Sequence, residues 1–406
     1  MTRTKTRITE YIPKHILLLI IISQFCCTSL WFAGNGVMDE LIQVYHLDAS
    51  VLSFLTSAVQ FGFILGTFVF AVFTISDRYS PSKVFMVSAF LAALFNCGLV
   101  IKGQSLTLLL ILRFLTGFFL AGIYPVGMKI AADYYNQGLG KALGFLVGAL
   151  VLGTAFPHLL SNITQHLPWE TVIYTTSILS VLGGCLIFFF VPNGPFRKSS
   201  IKVDFTVLFK LFKNKAFKAA AFGYFGHMWE LYAFWAFTPI LIKTYNQMHP
   251  EAVLNISFIS FLVIGSGCLS CAFSGIWSKQ FGVKRSAFYI LLVSAICCIV
   301  SPLSFYINSE VIFVAFLIFW GLVVVADSPL FSTLVAHNTA AETKGSALTI
   351  VNCIGFIITI ISIQTLGFLQ SMISNPTVIY LILAIGPIFG LVALKSKHKE
   401  NESQLV

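Results

Sequence analysis

Charged side chains are scarce in this 406-residue sequence, in which Asp, Glu, Lys and Arg together make up 10% of the residues. Soluble domains carry about 25% charged residues, so this shortage excludes an ordinary soluble domain. Hydrophobic residues make up 57% of the chain, and its mean hydropathy is +0.90. The apolar runs are long enough to cross a bilayer as helices. The composition therefore predicts an all-α integral membrane protein.

Acidic residues are the rarer charged kind, with 15 Asp and Glu against 25 Lys and Arg and a net charge of +10. The basic excess lies in alternate loops between apolar runs, which is typical of membrane topology and not of a nucleic-acid-binding surface. With the N-terminus inside, 21 of the 25 basic residues fall on the inner side. This distribution predicts a lipid bilayer as the surroundings, both termini in the cytoplasm and no nucleic-acid partner.

Signatures of catalysis and of cofactor binding are also missing. The sequence has no phosphate-cradling Gly-Lys-Ser/Thr loop, no nucleophile motif and no metal-ligand spacing. Its nine cysteines lie within or beside apolar runs, and the one Cys-x-x-Cys, Cys268 and Cys271, has no second pair. That placement favours apolar packing over metal or redox chemistry. We therefore expect no enzymatic activity, no cofactor, and energy from an ion gradient rather than a nucleotide.

Twelve apolar spans divide the chain into an N-terminal six-helix bundle (1–191), a cytoplasmic interdomain loop (192–217) and a C-terminal six-helix bundle (218–406). The two halves resemble a duplication, because Pro125 and Pro329 in corresponding spans lie 204 positions apart. Internal repeats of this kind are typical of transporters whose site lies between the halves. The predicted spans are Ile16–Asn35, Ser50–Phe73, Val84–Ile101, Leu106–Ala132, Ala142–Leu160, Val172–Phe190, Ala219–Ile242, Ile256–Trp277, Ser286–Ile307, Val311–Ala336, Ser346–Phe368 and Val378–Ala393.

Over essentially its whole length, the chain resembles the major facilitator superfamily. The loop after the second span carries Asp77-Arg78 of the superfamily signature G-x-x-x-D-R-x-G-R-K, although Phe73 and Ser80 replace its glycines. The resemblance implies that Asp77 and Arg78 gate the inner side; topology alone is the alternative reason for these charges.

Other motifs indicate which members of the superfamily the chain resembles. Arg113-x-x-x-Gly117 is similar to the pattern of proton-coupled members, whereas the G-P-x-x-G-G pattern of drug/proton antiporters is absent from the fifth span. Stretches at 31–35, 226–239 and 326–329 resemble a bacterial subgroup of undefined substrate. This implies a monomer in the inner membrane of a bacterium.

The seventh predicted span holds two ionisable residues near its middle, His227 and Glu230. Such a side chain at the bilayer centre costs at least ~2.5–3.5 kcal/mol on insertion scales, so it is rarely idle. The spacing places both on one helix face with Tyr224 one turn away. We expect this face to be wetted where the halves meet, with Glu230 as the proton-coupling group and His227 as relay or substrate contact. A satisfied interhelix hydrogen bond is the alternative for Glu230.

Further candidates come from the other spans. Asp327 is the second acid well inside a span, and its alternative role is to satisfy backbone groups freed by a kink at Ser328-Pro329. Arg113 is permanently charged and able to hold an anion or a neighbouring carboxylate. Trp31 and Asn35 are candidate substrate contacts; ordinary packing and interhelix bonding are the alternatives.

Together these features predict a secondary active transporter that works by alternating access. The first hypothesis is proton-coupled uptake of a small polar or anionic metabolite, with the substrate and protons as partners. The second is proton-coupled efflux of amphipathic compounds or drugs, motivated by the aromatic seventh span. A third, from another class, is a non-transporting receptor or scaffold built on the same fold.

Overall fold

The computed structural model describes residues 14–135, 139–197, 210–340 and 343–395, and all regular structure within these ranges is helical. Residues 198–209, in the middle of the predicted interdomain loop, and both chain termini lie outside the described residues. Three short 3₁₀ segments, Asn35–Val37, Gly98–Val100 and Val378–Ala384, extend helices or join them. The α-helices are α1 Lys14–Thr28, α2 Met38–Val44, α3 Val51–Val72, α4 Ile75–Arg78, α5 Pro81–Cys97, α6 Leu106–Leu120, α7 Tyr124–Tyr134, α8 Leu139–Ile163, α9 Glu170–Phe190, α10 Lys215–Met248, α11 Ile256–Phe281, α12 Val283–Ser304, α13 Glu310–Ala326, α14 Ser328–His337, α15 Lys344–Met372 and α16 Ile385–Lys395.

Ten segments in the described part of the chain are both long and apolar enough to cross a membrane. The predicted count of twelve is therefore only partly confirmed. The first predicted span falls short because its apolar helix ends at Thr28, after which the chain turns. The seventh is the 34-residue α10, which is long enough to span but carries charged and polar side chains along its length. The count reaches twelve when α1 and α10, which pack against the other helices of their own halves, are included.

The same close helix contact occurs once in each half of the chain. A Cβ on Gly117 would lie 2.0 Å from the carbonyl oxygen of Val59, and a Cβ on Gly321 would lie 2.0 Å from that of Val263. Both glycines let two backbones touch, as small residues do in membrane helix pairs. The two contacts are separated by the 204 positions that also separate Pro125 from Pro329. The repeat predicted from the prolines thus recurs in the packing.

Two of the spans are broken near their middle. One breaks between α6 and α7, and the other breaks at Asp327, between α13 and α14. Pro125 and Pro329 each occupy the second position of the following helix, where a missing N–H costs no intrahelical bond. The predicted kink at Ser328-Pro329 is confirmed. Broken helices bring polar backbone to mid-bundle, which is where membrane proteins place their sites.

Candidate functional site

Glu230 lies on α10 and is 1% exposed. Its Oε1 atom accepts hydrogen bonds from Ser294 Oγ at 2.7 Å, Trp320 Nε1 at 2.6 Å and Cys298 Sγ at 3.2 Å. These donors come from α12 and α13, which belong to the same half of the chain as α10. The expected wetted face at the seam between the halves is therefore not observed for Glu230. Its surroundings match the alternative, a satisfied interhelix hydrogen bond.

His227 lies one turn before Glu230 but has a different partner. Its Nδ1 atom lies 2.8 Å from Oδ1 of Asp327, and both side chains are 1% exposed. The contact is an ion pair when the imidazole is protonated, and Nε2 of His227 and Oδ2 of Asp327 have no hydrogen-bond partner within the described residues. The sequence had singled out both residues without indicating that they meet. The break at Asp327 is what brings its carboxyl group to α10.

Tyr224 extends this group towards the seam. Its hydroxyl donates to Oδ1 of Asn352 on α15 at 2.6 Å, and its ring centre lies 6.0 Å from that of His227. Tyr124 of the N-terminal half lies within electrostatic range of Tyr224 and of Tyr232. Tyr124 and Asn352 are only partly buried. The Tyr224 hydroxyl and the Asn352 amide, both of the C-terminal half, therefore lie beside the buried His227–Asp327 pair.

Arg113 is 1% exposed and donates to the carbonyl oxygens of Leu30 at 3.2 Å and Trp31 at 2.5 Å. A third bond reaches Oδ1 of Asn96 at 3.2 Å. The carbonyls belong to the turn that follows α1, where helical partners are lost. No carboxylate pairs with Arg113 in the described part of the chain. The guanidinium thus holds the turn that carries Trp31, and it does not approach Glu230 or Asp327.

Trp31 lies between the two halves at the centre of an aromatic cluster. Its ring centre is 4.7 Å from that of Phe63, 5.8 Å from Tyr232 and 5.9 Å from Phe356. The repeat-related Trp235 packs on Tyr232 at 5.2 Å. We call these five residues the seam aromatic cluster. The placement of Trp31 at the seam agrees with its prediction as a candidate substrate contact, whose role stays a prediction.

Asn35 lies near the cluster but has a partner in its own half. Its Nδ2 atom donates to Oγ1 of Thr56 at 2.9 Å, and its side chain is buried. This is the interhelix bond named as the alternative for Asn35.

Polar bridges between the halves lie at the end of the bundle opposite to the start of α1 and the end of α16, which we call the far end. Sequence patterns did not reveal them, because each consists of common polar residues in loops or near helix ends. Asp39 and Lys243 are 204 positions apart, the interval of the repeat, so this pair joins equivalent positions. The bridges are Asp39 with Lys243 at 3.2 Å, Asn162 with Asn255 at 2.7 Å, Ser53 with Gln364 at 3.0 Å and Ser161 with Ser257 at 3.5 Å.

At the opposite end, which we call the termini end, the ion pairs join residues of the N-terminal half. Lys129 lies 2.7 Å from Asp77 and 3.9 Å from Asp133, and Arg197 donates to the backbone carbonyl of Asp77. Arg78 is exposed. Asp77 is thus anchored to α7, whereas none of these ion pairs includes Arg78, its predicted partner in gating.

Comparison with known proteins agrees with this architecture. A protein of Bacillus subtilis (strain 168) named "Uncharacterized MFS-type transporter YybF" is 23% identical over 69% of this chain and 68% of its own length. An "Uncharacterized transporter" of Buchnera aphidicola is 22% identical over 80% of this chain and 76% of its own. The crystal structure of a mutant of the nucleoside transporter NupG superposes with a TM-score of 0.71 at 14% identity, covering 93% of this chain and 98% of that one. The family model described as Major Facilitator Superfamily matches residues 20–363. The chain therefore belongs to the major facilitator superfamily of membrane transporters.

Proposed function

We propose that this protein couples protons to the movement of a small, uncharged, ring-bearing solute, with the His227–Asp327 pair as the proton-binding element. The observation that carries the proposal is the burial of this pair at the break between α13 and α14. One turn away, Tyr224 connects the pair to the partly buried Asn352 at the seam. A change in the protonation of the pair therefore acts next to the surface that meets a solute.

Protonation of the His227–Asp327 pair is coupled to the opening of the cavity because an uncompensated buried charge is unfavourable. With His227 protonated and Asp327 ionised, the two charges compensate each other. Loss of the proton leaves a carboxylate without a cation, and an uncompensated buried ion costs several kcal/mol. Water entering an opened cavity relieves that cost, so protonation favours one state of the bundle and deprotonation the other. By linkage, a solute that binds better to one state changes the affinity for protons by the same factor.

The conformation fits one stage of an alternating-access cycle. The named bridges between the halves lie at the far end, and the seam aromatic cluster packs across the halves. Tyr124 and Lys129, on the side of the termini end, are partly exposed. With the termini in the cytoplasm, as the basic residues predict, this is an inward-facing state. The four far-end bridges must separate before the site opens outward.

We infer an uncharged solute because the buried ionic side chains already have partners within the protein. Arg113 is directed to backbone carbonyls, Glu230 accepts from three donors, and Asp327 pairs with His227. The groups named at the seam that carry no charge are the buried aromatic rings of the cluster, the Tyr224 hydroxyl and the Asn352 amide. Rings and neutral hydrogen-bonding groups suit a neutral cyclic solute. This supports the polar metabolite of the sequence-based hypothesis and not an anionic one.

The proposal does not depend on the direction of transport, for which uptake stays the prediction made from the sequence. Export of amphipathic compounds is the second candidate, because the same seam aromatic cluster would receive an apolar ring. Both directions share the proposed proton-binding pair. A non-transporting receptor would show neither solute flux nor proton movement.

The test uses purified protein in liposomes that contain a pH-sensitive dye. The solute panel pairs neutral ring compounds with charged counterparts: nucleosides with nucleoside monophosphates, and sugars with sugar phosphates. We expect proton movement with a neutral member, its loss in Asp327→Asn, and retained solute exchange in that variant. Proton movement unchanged by Asp327→Asn, or driven only by charged members, would refute the proposal. Asp48→Asn, which removes an exposed carboxylate that takes no part in the bridges between the halves, is the matched control.

A further inference from the structure

An apolar groove runs along the outside of the C-terminal half, between α10 and α16. It holds a cavity of about 210 Å³. It is separate from the seam, because its walls belong to one half of the chain. We call it the α10–α16 groove, and its lining is Phe222, Phe225, Gly226, Trp229, Ile358, Ile385, Gly386 and Phe389.

The groove exists because α10 and α16 touch through glycines. A Cβ on Gly226 would lie 2.3 Å from the carbonyl oxygen of Gly386, and a Cβ on Gly386 would lie 2.5 Å from that of Gly226. A Cβ on Gly390 would lie 3.3 Å from Cα of Gly223. Backbones in such contact have no side chains to fill the crease outside them. The aromatic side chains on either side then form its walls.

The surface of the groove is hydrocarbon. Phe389 is 52% exposed and Ile385 is 54% exposed, so this wall is open to the surroundings of the bundle. Trp229 turns its Nε1 inward, where it donates to the carbonyl oxygen of Ile382 at 3.0 Å. Its polar atom is therefore satisfied and its ring faces the groove. An occupant of this groove needs an apolar chain and no hydrogen-bonding groups along it.

Two lysines lie at the termini end of the helices that border the groove. Lys218 is exposed, and its Nζ atom lies 5.6 Å from the ring centre of Phe222, which lines the groove. Lys395, also exposed, is the last residue of α16, six positions after Phe389. They share one end because α10 begins there and α16 ends there. The first turn of α10 also contributes the positive end of its helix dipole.

We propose that the α10–α16 groove binds an anionic glycerophospholipid, with one acyl chain between α10 and α16 and the phosphate beside Lys218 and Lys395. A lipid is the occupant that combines an apolar chain with a negative group at the correct end. A second copy of the chain fits less well, because the glycines that would allow a close helix approach are already in contact with each other. The proposal is independent of the transported solute.

The test is native mass spectrometry of the protein taken from bilayers of equal parts phosphatidylglycerol and phosphatidylcholine with identical acyl chains. A basic residue near an anionic surface contributes a factor of about fivefold in binding. We expect the wild type to retain phosphatidylglycerol preferentially, Lys218→Gln or Lys395→Gln to lower that retention about fivefold, and the double variant roughly 25-fold. Lys279→Gln, an exposed lysine at the same end on α11, is the matched control.

A second variant separates the groove from the general charge of the surface. Ile385→Trp adds bulk at an exposed groove position, so we expect it to expel the retained lipid while the protein stays folded. Ile276→Trp, at an exposed position on α11, should leave retention unchanged. Equal phosphatidylglycerol retention in the wild type, the double lysine variant and Ile385→Trp would overturn the proposal. So would a dimer in the spectrum that Ile385→Trp disrupts with no change in bound lipid.

Discussion

Replacing Glu230 tests whether its role is structural. In Glu230→Leu, a side chain of similar size removes the acceptor for the Ser294 hydroxyl and the Trp320 indole N–H, both buried. A buried donor left without a partner costs about 1–3 kcal/mol, and the Cys298 thiol is a weak donor that adds little. We therefore expect a loss of about 2–6 kcal/mol in the free energy of unfolding. That is a large share of the ~5–15 kcal/mol of a typical domain.

Glu230→Gln keeps a carbonyl oxygen where Oε1 lies. The amide oxygen can still accept from Ser294 and Trp320, so we expect a smaller loss, about 1–2 kcal/mol. Reversible unfolding in mixed micelles, followed by tryptophan fluorescence, measures both variants. Glu310→Leu is the control, because Glu310 is exposed and a surface change usually stays within about 0.5 kcal/mol.

The same variants distinguish a structural role from proton coupling. If Glu230 only holds α12 and α13 to α10, Glu230→Gln keeps solute-driven proton movement in liposomes, and Asp327→Asn loses it. Loss of proton movement in Glu230→Gln at unchanged stability would refute this reasoning and support the coupling role predicted from the sequence. Equal stability of Glu230→Leu and the wild type would show that the three donors do not depend on the carboxylate.

Three further predictions concern packing and closure. Gly321→Leu should abolish the yield of folded, monodisperse protein, because even a Cβ there would lie 2.0 Å from a backbone oxygen. Gly345→Ala should keep the wild-type yield, because a Cβ at Gly345 has open space around it. Arg113→Gln should weaken the turn after α1 and lower thermal stability by about 1–3 kcal/mol through lost bonds to backbone carbonyls; wild-type stability would contradict this. Charge reversal of Asp39 alone should raise the labelling, by a membrane-impermeant reagent, of a cysteine introduced between the halves at the far end. Reversing the charge of Lys243 as well should return this labelling to the wild-type level. This exposed pair is worth at most about 1 kcal/mol, so stability should hardly change.

The sequence determined much of the architecture, because bilayer insertion depends on properties that are local to each segment. Apolar runs of sufficient length predicted the spans, and ten are confirmed by length and composition. The prolines predicted the repeat and the break at Asp327, since a missing N–H acts where the proline stands. Trp31 was named as a candidate substrate contact, and that role stays a prediction. The family followed from Asp77-Arg78 and the number of spans, and the match over 20–363 confirms it.

The partners of the buried polar groups were decided by tertiary structure alone. Helical spacing placed His227 and Glu230 on one face, but it could not tell that their bonds would run to Asp327 and to Trp320 respectively. Arg113 was expected near an anion and instead holds backbone carbonyls of a broken helix. The physical reason is the same in each case: a polar group inside a membrane bundle takes whichever partner the neighbouring helices present, and helix arrangement is a property of the whole chain.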